Sequence, residues 1–393
     1  MMQQEEALAR ILQEVQPLPA RSIALADAVD CFAASDIFAP VSLPLFDNSA
    51  MDGYAVVANS CVAGTRLAVI DEQPAGIDRG LSVAPGEAIR IFTGAPVPRG
   101  ADAIVMQEDT TVAGSEIVIN VTVEQGEFVR RRGADVVAGQ KILSAGERVR
   151  PATIGLLAAQ GIADVTVGGE VRVAIISTGD ELAAPGAVLQ PGQIYESNSS
   201  LLRALSEKRG VKVVSVTHCP DRADAIRAAL RAGAACDAMI ISGGVSVGAR
   251  DLVKAALAQV GAELQLWRVA VKPGKPFLFG RAGQCAMFGL PGNPVSAFVT
   301  FLLFVRPALL RLMGAPDDAL SLPSVPARLG ADVQNDSERV HYIRGVIAAG
   351  IFTPFGRQES HALFGLSRSN AILKVGPAEL LAEGAEVNIF TWG

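Results

Sequence analysis

Four carboxylates and two lysines stand beside glycine-rich breaks in the middle of this chain. Residues 171–182 read VRVAIISTGDEL, residues 238–257 read AMIISGGVSVGARDLVKAAL, and residues 285–299 read CAMFGLPGNPVSAFV. In each, an apolar run with strand character breaks at glycine; in the second a helical pattern restarts at about Asp251 and in the third at about Pro294. Such a break aims backbone N–H groups and a helix dipole at one point and favours an anion, commonly a phosphate. The candidate binding residues are Ser177, Thr178, Gly179 and Asp180 in the first break, Ser242, Gly243, Gly244, Val245, Ser246 and Gly248 in the second, and Pro291, Gly292 and Asn293 in the third.

The carboxylates Asp180, Glu181, Asp221 and Asp251 each follow a predicted strand, where side chains converge on the crevice of an open α/β sheet. Carboxylates beside phosphate-binding turns repel the ligand unless a cation intervenes. Mg²⁺ held by one or two carboxylates plus ligand phosphates resolves the conflict. Glu181, Asp221 and Asp251 are the candidate metal ligands. Each acid also has a plainer role: Asp221 and Asp251 as helix N-caps, Glu181 as an exposed residue. Lys272 and Lys275 in VKPGKP put two point charges on a stiff loop suited to an oxyanion. The loop is not a Walker A motif, because Val269 stands where that motif needs its first glycine, and GGVSVG lacks dinucleotide-fingerprint spacing. Asp52, in the irregular stretch 44–55, fits a turn residue or a catalytic acid equally. Arg130, Arg131 and Arg132 fit an anion clamp or a solvated face. Ser360-His361 is discounted as a nucleophile pair, since adjacent residues rarely face each other productively.

The elements that position these groups follow from periodicity. Residues 171–314 alternate strand and helix, which predicts a doubly wound α/β domain, taken as 170–316. Short β-branched runs between glycines and prolines predict a β-rich domain over 46–140, and residues 322–393 a small β domain within 317–393. Leu8, Ile11, Leu12 and Val15 at helical spacing predict a first helix over 4–16, and a second is expected over 22–35. A helix at 151–160 opens on Pro151 and completes a helical N-terminal domain made of 1–45 and 141–169.

The whole chain narrows the class. It has 393 residues, half of them hydrophobic, enough for two to three domains with a large core. A net charge of −6 argues against general nucleic-acid binding. Five scattered cysteines without a CxxC pair indicate neither a disulfide framework nor a zinc site and fit a reducing cytoplasm. The N-terminus lacks a basic leader and long apolar core, so no signal peptide is expected. The apolar run 297–305 is cut by Arg306-Pro307, short of the roughly 20 residues of a membrane span. These observations point to chemistry on a phosphorylated or nucleotide-linked small molecule.

FDNSAMDGYA, TGAPVP, RRRGAD, STGDEL, SGGVSVGxxD, KPGKP and GLPGNPVS, in that order over nearly the whole chain, resemble the molybdopterin molybdenumtransferase family, MoeA and the gephyrin E domain. The resemblance implies Mg²⁺-assisted insertion of molybdate into adenylylated molybdopterin with release of AMP. It also implies an elongated cytoplasmic homodimer of four-domain chains, with the adenylyltransferase and apo-molybdoenzymes as further partners. By motif match, Asp52, Thr93 and Asp135 are similar to the family's cleft residues from the N-terminal part. Glu181, Asp221 and Asp251 match its acids around the nucleotide, and Lys272 and Lys275 its basic loop. Arg344 in YIRGV and Ser360 in ESH are weaker matches for substrate contacts. Competing expectations are a Mg²⁺-dependent pyrophosphatase and a non-catalytic scaffold.

Overall fold

The structure, a computed structural model, describes residues 1–244 and 252–392; Val245, Ser246, Gly248 and Asp251 lie outside them. The chain separates into two compact units. One comprises residues 1–35, 145–155 and 163–393, the other residues 36–144 and 156–162.

The larger unit holds the α/β sheet. Its strands are β1 (Val171–Thr178), β2 (Val211–Cys219), β3 (Ala238–Ser242), β4 (Glu263–Trp267), β6 (Leu278–Ala282) and β7 (Cys285–Leu290), with the short β5 (Val271–Lys272) lying between β4 and β6 in the chain. The spatial order is β2-β1-β3-β7-β6-β4. β2, β1, β3 and β7 run parallel, while β6 pairs antiparallel with β7 and β4 antiparallel with β6, so the sheet is mixed rather than uniformly parallel. The cause is local. Only Gly283 and Gln284 link β6 to β7, and a two-residue link with Gly283 at φ +60 closes only an antiparallel hairpin. The run LQLWRVAV also does not form one strand: β5 leaves this sheet and pairs with β8 (Val340–Ala348) in the C-terminal region.

The first helix is α1 (Gln4–Glu14), followed in this unit by α2 (Asn198–Ser206), α3 (Ala223–Gly233), α4 (Leu252–Gln259) and α5 (Pro294–Leu312). α2 through α5 alternate with the strands as their periodicity requires. α5 runs through Arg306-Pro307 as one long helix from Pro294, although its apolar run ends there. Its stretch Phe301–Val305 is a π turn, and the helix continues to Leu312. Proline crowds the carbonyl four residues earlier, here Leu303, and the wider turn relieves that contact. α5 is the one helix among the described residues long and apolar enough to cross a membrane, but 89% of its apolar window is buried inside the protein. It packs there with Ala7 and Ile11 of α1 and the strands of the sheet.

The expected second helix at 22–35 does not form. Arg21–Ala24 is a strand antiparallel to Asp164–Val167, followed by a 3-10 turn at Leu25–Asp27. Long-range pairing overrides the helix preference of its alanines and Leu25, so the N-terminal region is not clearly helical, although α1 and the helix Pro151–Ala159 form as expected. At the other end β8, Ile351–Pro354, Ser324–Leu329, Glu386–Thr391 and Ala371–Val375 pair in succession, and the last returns to β8, closing a small barrel.

In the smaller unit six strands lie in the order Ala103–Met106, Gly53–Val56, Glu87–Ile91, Arg66–Gln73, Glu116–Ile119 and Thr110–Ala113. The stretch 44–55 is less irregular than its composition implies: Asn48–Ser49 pairs with Val129–Arg130, and Gly53 begins the second strand of the sheet. Gly53 cannot carry a side chain, because a Cβ there would lie 1.9 Å from the Val105 carbonyl oxygen.

Candidate functional site

After β1 the chain crosses to β2 on one side and then to β3 on the other. β1 and β3 therefore flank the switch point, where open α/β sheets bind ligands. The ladder puts the three glycine breaks at one level: Ser177 is in register with Ser242, and Ser242 with Leu290. They close on a cavity of about 680 Å³, within the range of small-molecule sites. Thr178, Gly179, Glu181, Asp221, Ser242, Gly243, Gly244, Pro291, Gly292 and Asn293 all line it.

The turns interlock. Gly243 has φ +89, and a Cβ there would come within 2.7 Å of the Thr178 carbonyl oxygen. Buried Asn198, the first residue of α2, joins the second break to the third: its amide donates to Ser242 Oγ at 2.8 Å and to the Gly292 carbonyl at 2.7 Å. Glu196 fixes the start of α2, its carboxylate accepting from the Ser199 N–H at 2.9 Å. Neither residue stood out in the sequence, because an Asn or Glu near a helix start reads as an ordinary cap. Ile194, Tyr195, His361 and Leu363 add to the lining. Ser360 accepts from the Asn293 amide at 2.8 Å, which brings Ser360-His361 to this cavity although not as a nucleophile pair. Ser177 is buried beneath, its hydroxyl 3.2 Å from His218 Nδ1.

Three of the four acids, Asp180, Glu181 and Asp221, lie among the described residues. Glu181 folds back on Gly179, whose missing Cβ would meet its carboxylate at 2.7 Å. Asp180 accepts from the Asp221 N–H at 2.9 Å. Asp221 is not the N-cap of α3; that position is Arg222. Its carboxyl titrates above the ordinary range because of partial burial and then the charges of Asp180 and Glu181. Mutual repulsion of this kind fits a cation. Among the described residues no three His, Cys, Asp or Glu are disposed to hold a metal alone. One or two carboxylates completed by ligand phosphates is the arrangement Mg²⁺ accepts. Asparagine at 221 removes one of the three repelling charges, so Asp221→Asn should unfold at the same or a slightly higher temperature. A fall in melting temperature would show that the ionised carboxylate is a net stabiliser.

The lysines lie elsewhere. Lys272 is in register with His341 of the barrel, Lys275 is exposed, and of that loop only Pro276 lines the cavity. Arg344 is 1% exposed, and its guanidinium donates to the Glu359 carbonyl, bracing the segment before Ser360. In the smaller unit Asp52 accepts from both the N–H and the hydroxyl of Thr93, at 2.7 and 2.8 Å, and these bonds hold its carboxyl below the usual range. Asp135 is exposed. Arg131 pairs with Asp47 at 2.7 Å, and the Arg132 N–H donates to the same carboxylate.

Comparison with known proteins agrees along the whole chain. Family models match for the MoeA N-terminal region (domain I and II) at residues 2–161, a probable molybdopterin binding domain at 174–311, and the MoeA C-terminal region (domain IV) at 326–392. The sequence is 38% identical to molybdopterin molybdenumtransferase 2 of Mycobacterium tuberculosis over 401 residues, covering 99% of this chain and 98% of that one. It is 39% identical to the molybdopterin molybdenumtransferase of Haemophilus influenzae over 318 residues, 80% of this chain and 78% of that one. The fold matches the crystal structure of a molybdopterin biosynthesis MoeA protein from Pyrococcus horikoshii with a TM-score of 0.85 and 31% identity over the whole of both chains. With the glycine turns, the acids and these relatives in agreement, the chain belongs to the molybdopterin molybdenumtransferase (MoeA) family.

Proposed function

We propose that this chain inserts molybdate into the dithiolene of adenylylated molybdopterin, releasing AMP and giving Mo-molybdopterin in molybdenum cofactor biosynthesis. The observation that carries the reading is the convergence of three glycine turns and the Glu181 and Asp221 carboxylates on one cavity at the switch point. The turns would present backbone N–H groups to the pyrophosphate and its leaving AMP. Glu181 and Asp221, with Asp251 from outside the described residues, would hold Mg²⁺ or act as acid and base, and Asp180 would contact the substrate. The ion would supply charge neutralisation at the pyrophosphate. Lys272 and Lys275 would offset the charge of the oxyanion substrate. Arg344 and Ser360 would contribute through the segment they brace beside Asn293. Asp52, Thr93 and Asp135 are read as residues a second copy contributes in a cytoplasmic homodimer. The division at 1–45 with 141–169, 46–140, 170–316 and 317–393 is part of this reading.

The test is AMP release from adenylylated molybdopterin by the purified protein, with and without molybdate and with and without Mg²⁺. Release that needs molybdate, yielding a cofactor that activates an apo-molybdoenzyme, is the expected result. Release regardless of molybdate would indicate a pyrophosphatase, and tight binding without release a scaffold. Lys275→Ala should weaken the molybdate dependence; an unchanged response would remove the lysine loop from the oxyanion site.

A further inference from the structure

His341 is 6% exposed, and neither ring nitrogen has a hydrogen-bond partner. Buried polar atoms without partners are few in folded proteins and call for an explanation. The ladder supplies the setting. His341 is in register with Lys272 on one side and with Val375 on the other, so these three side chains share a face. Val375 is apolar and belongs to the barrel core. The charges acting on the imidazole are cations: Lys272 from β5, and Arg344 and Arg339 from its own strand and the approach to it. Arg339 is anchored, donating to the Val271 carbonyl at 2.9 Å, and Arg344 points to the opposite face of β8. Lys272 has no carboxylate partner among the described salt bridges. The result is a buried imidazole without hydrogen-bond partners beside an ammonium that has no salt-bridge partner among the described residues.

We infer that His341, in register beside Lys272, takes up a proton from solvent when an oxyanion binds at the 272–276 loop. The inference rests on the reading of that loop as the oxyanion site. Burial comes first in keeping the imidazole neutral, and an arriving anion cancels the part due to Lys272. The imidazolium then adds an N–H donor and a second positive charge beside Lys272, which the bound anion offsets. One proton moves from solvent to a ring nitrogen, and no covalent bond to the anion forms. Oxyanion binding must then tighten as pH falls, because the bound state holds the extra proton.

The measurement is calorimetric titration of the full-length protein with molybdate between pH 8 and pH 6, in two buffers of different ionisation enthalpy. For the wild type we expect fractional proton uptake that grows toward pH 6 and an affinity gain of up to about twofold across that range. The ceiling for one proton is tenfold per pH unit. In His341→Gln the uptake disappears and the affinity no longer changes with pH. Binding without proton uptake in the wild type, or uptake that persists in His341→Gln, overturns the coupling alone. If molybdate does not bind at any pH tested, the oxyanion reading of the loop falls and the coupling with it. The wild-type measurement decides the matter even if the variant folds poorly.

Discussion

Asn198→Ala will lose about 2–4 kcal/mol of stability and most of the activity. The asparagine is 7% exposed and donates two hydrogen bonds, to Ser242 at the end of β3 and to Gly292 before α5. Each bond is worth about 1 kcal/mol net, and alanine also strands a buried hydroxyl and a carbonyl, which raises the cost. The larger consequence is geometric. Those bonds fix two of the three glycine turns relative to each other, and misplacement by about 1 Å at a reacting centre can cost on the order of 10²-fold in rate. The expectation is a lower urea midpoint together with a fall in kcat/KM for molybdate-dependent AMP release. Normal turnover in a destabilised Asn198→Ala protein would mean that the turns are held by their own backbone contacts.

The second large effect is on stability in acid. Burial, with Lys272, Arg344 and Arg339 nearby, pushes the His341 imidazole down to about 4 from its ordinary 6.5. A group whose folded value lies below its unfolded value stabilises the fold fully only above the unfolded value. Between pH 6.5 and pH 4 the unfolded chain binds a proton that the folded chain refuses, and stability falls. A difference of that size corresponds to on the order of 3 kcal/mol across the window. Urea midpoints at pH 7.5 and pH 5 should therefore differ substantially in the wild type and much less in His341→Gln. An equal loss in both proteins would place the acid sensitivity in other groups. This experiment concerns the protein without ligand, so its outcome is independent of whether molybdate binds at the lysine loop.

Much of the site was legible in the sequence because it is built from local signals. A strand that ends in glycine and restarts as a helix is written in consecutive residues, and the alternation over 171–314 requires the turns to lie on one sheet. Acids one to three residues beyond a strand end must then fall near the crevice, as Glu181 and Asp221 do. The same locality explains the helix at 151–159 and the strands of the β-rich unit.

Tertiary structure decided what depends on residues far apart in the chain. Residues 21–24 became a strand because a partner at 164–167 was available, a pairing that no local propensity encodes. β5 left the central sheet for the barrel, which moved Lys272 away from the switch-point cavity and beside His341. α5 continued through Pro307 because its preceding turn widened inside a packed core. Asn198 acquired its role only when Ser242 and Gly292, separated from it by 44 and 94 residues, came within hydrogen-bond reach. Sequence determined which chemistry the chain carries, since residue type and local period suffice for that. Folding decided which groups meet and which stay unpaired, since those are properties of long-range packing.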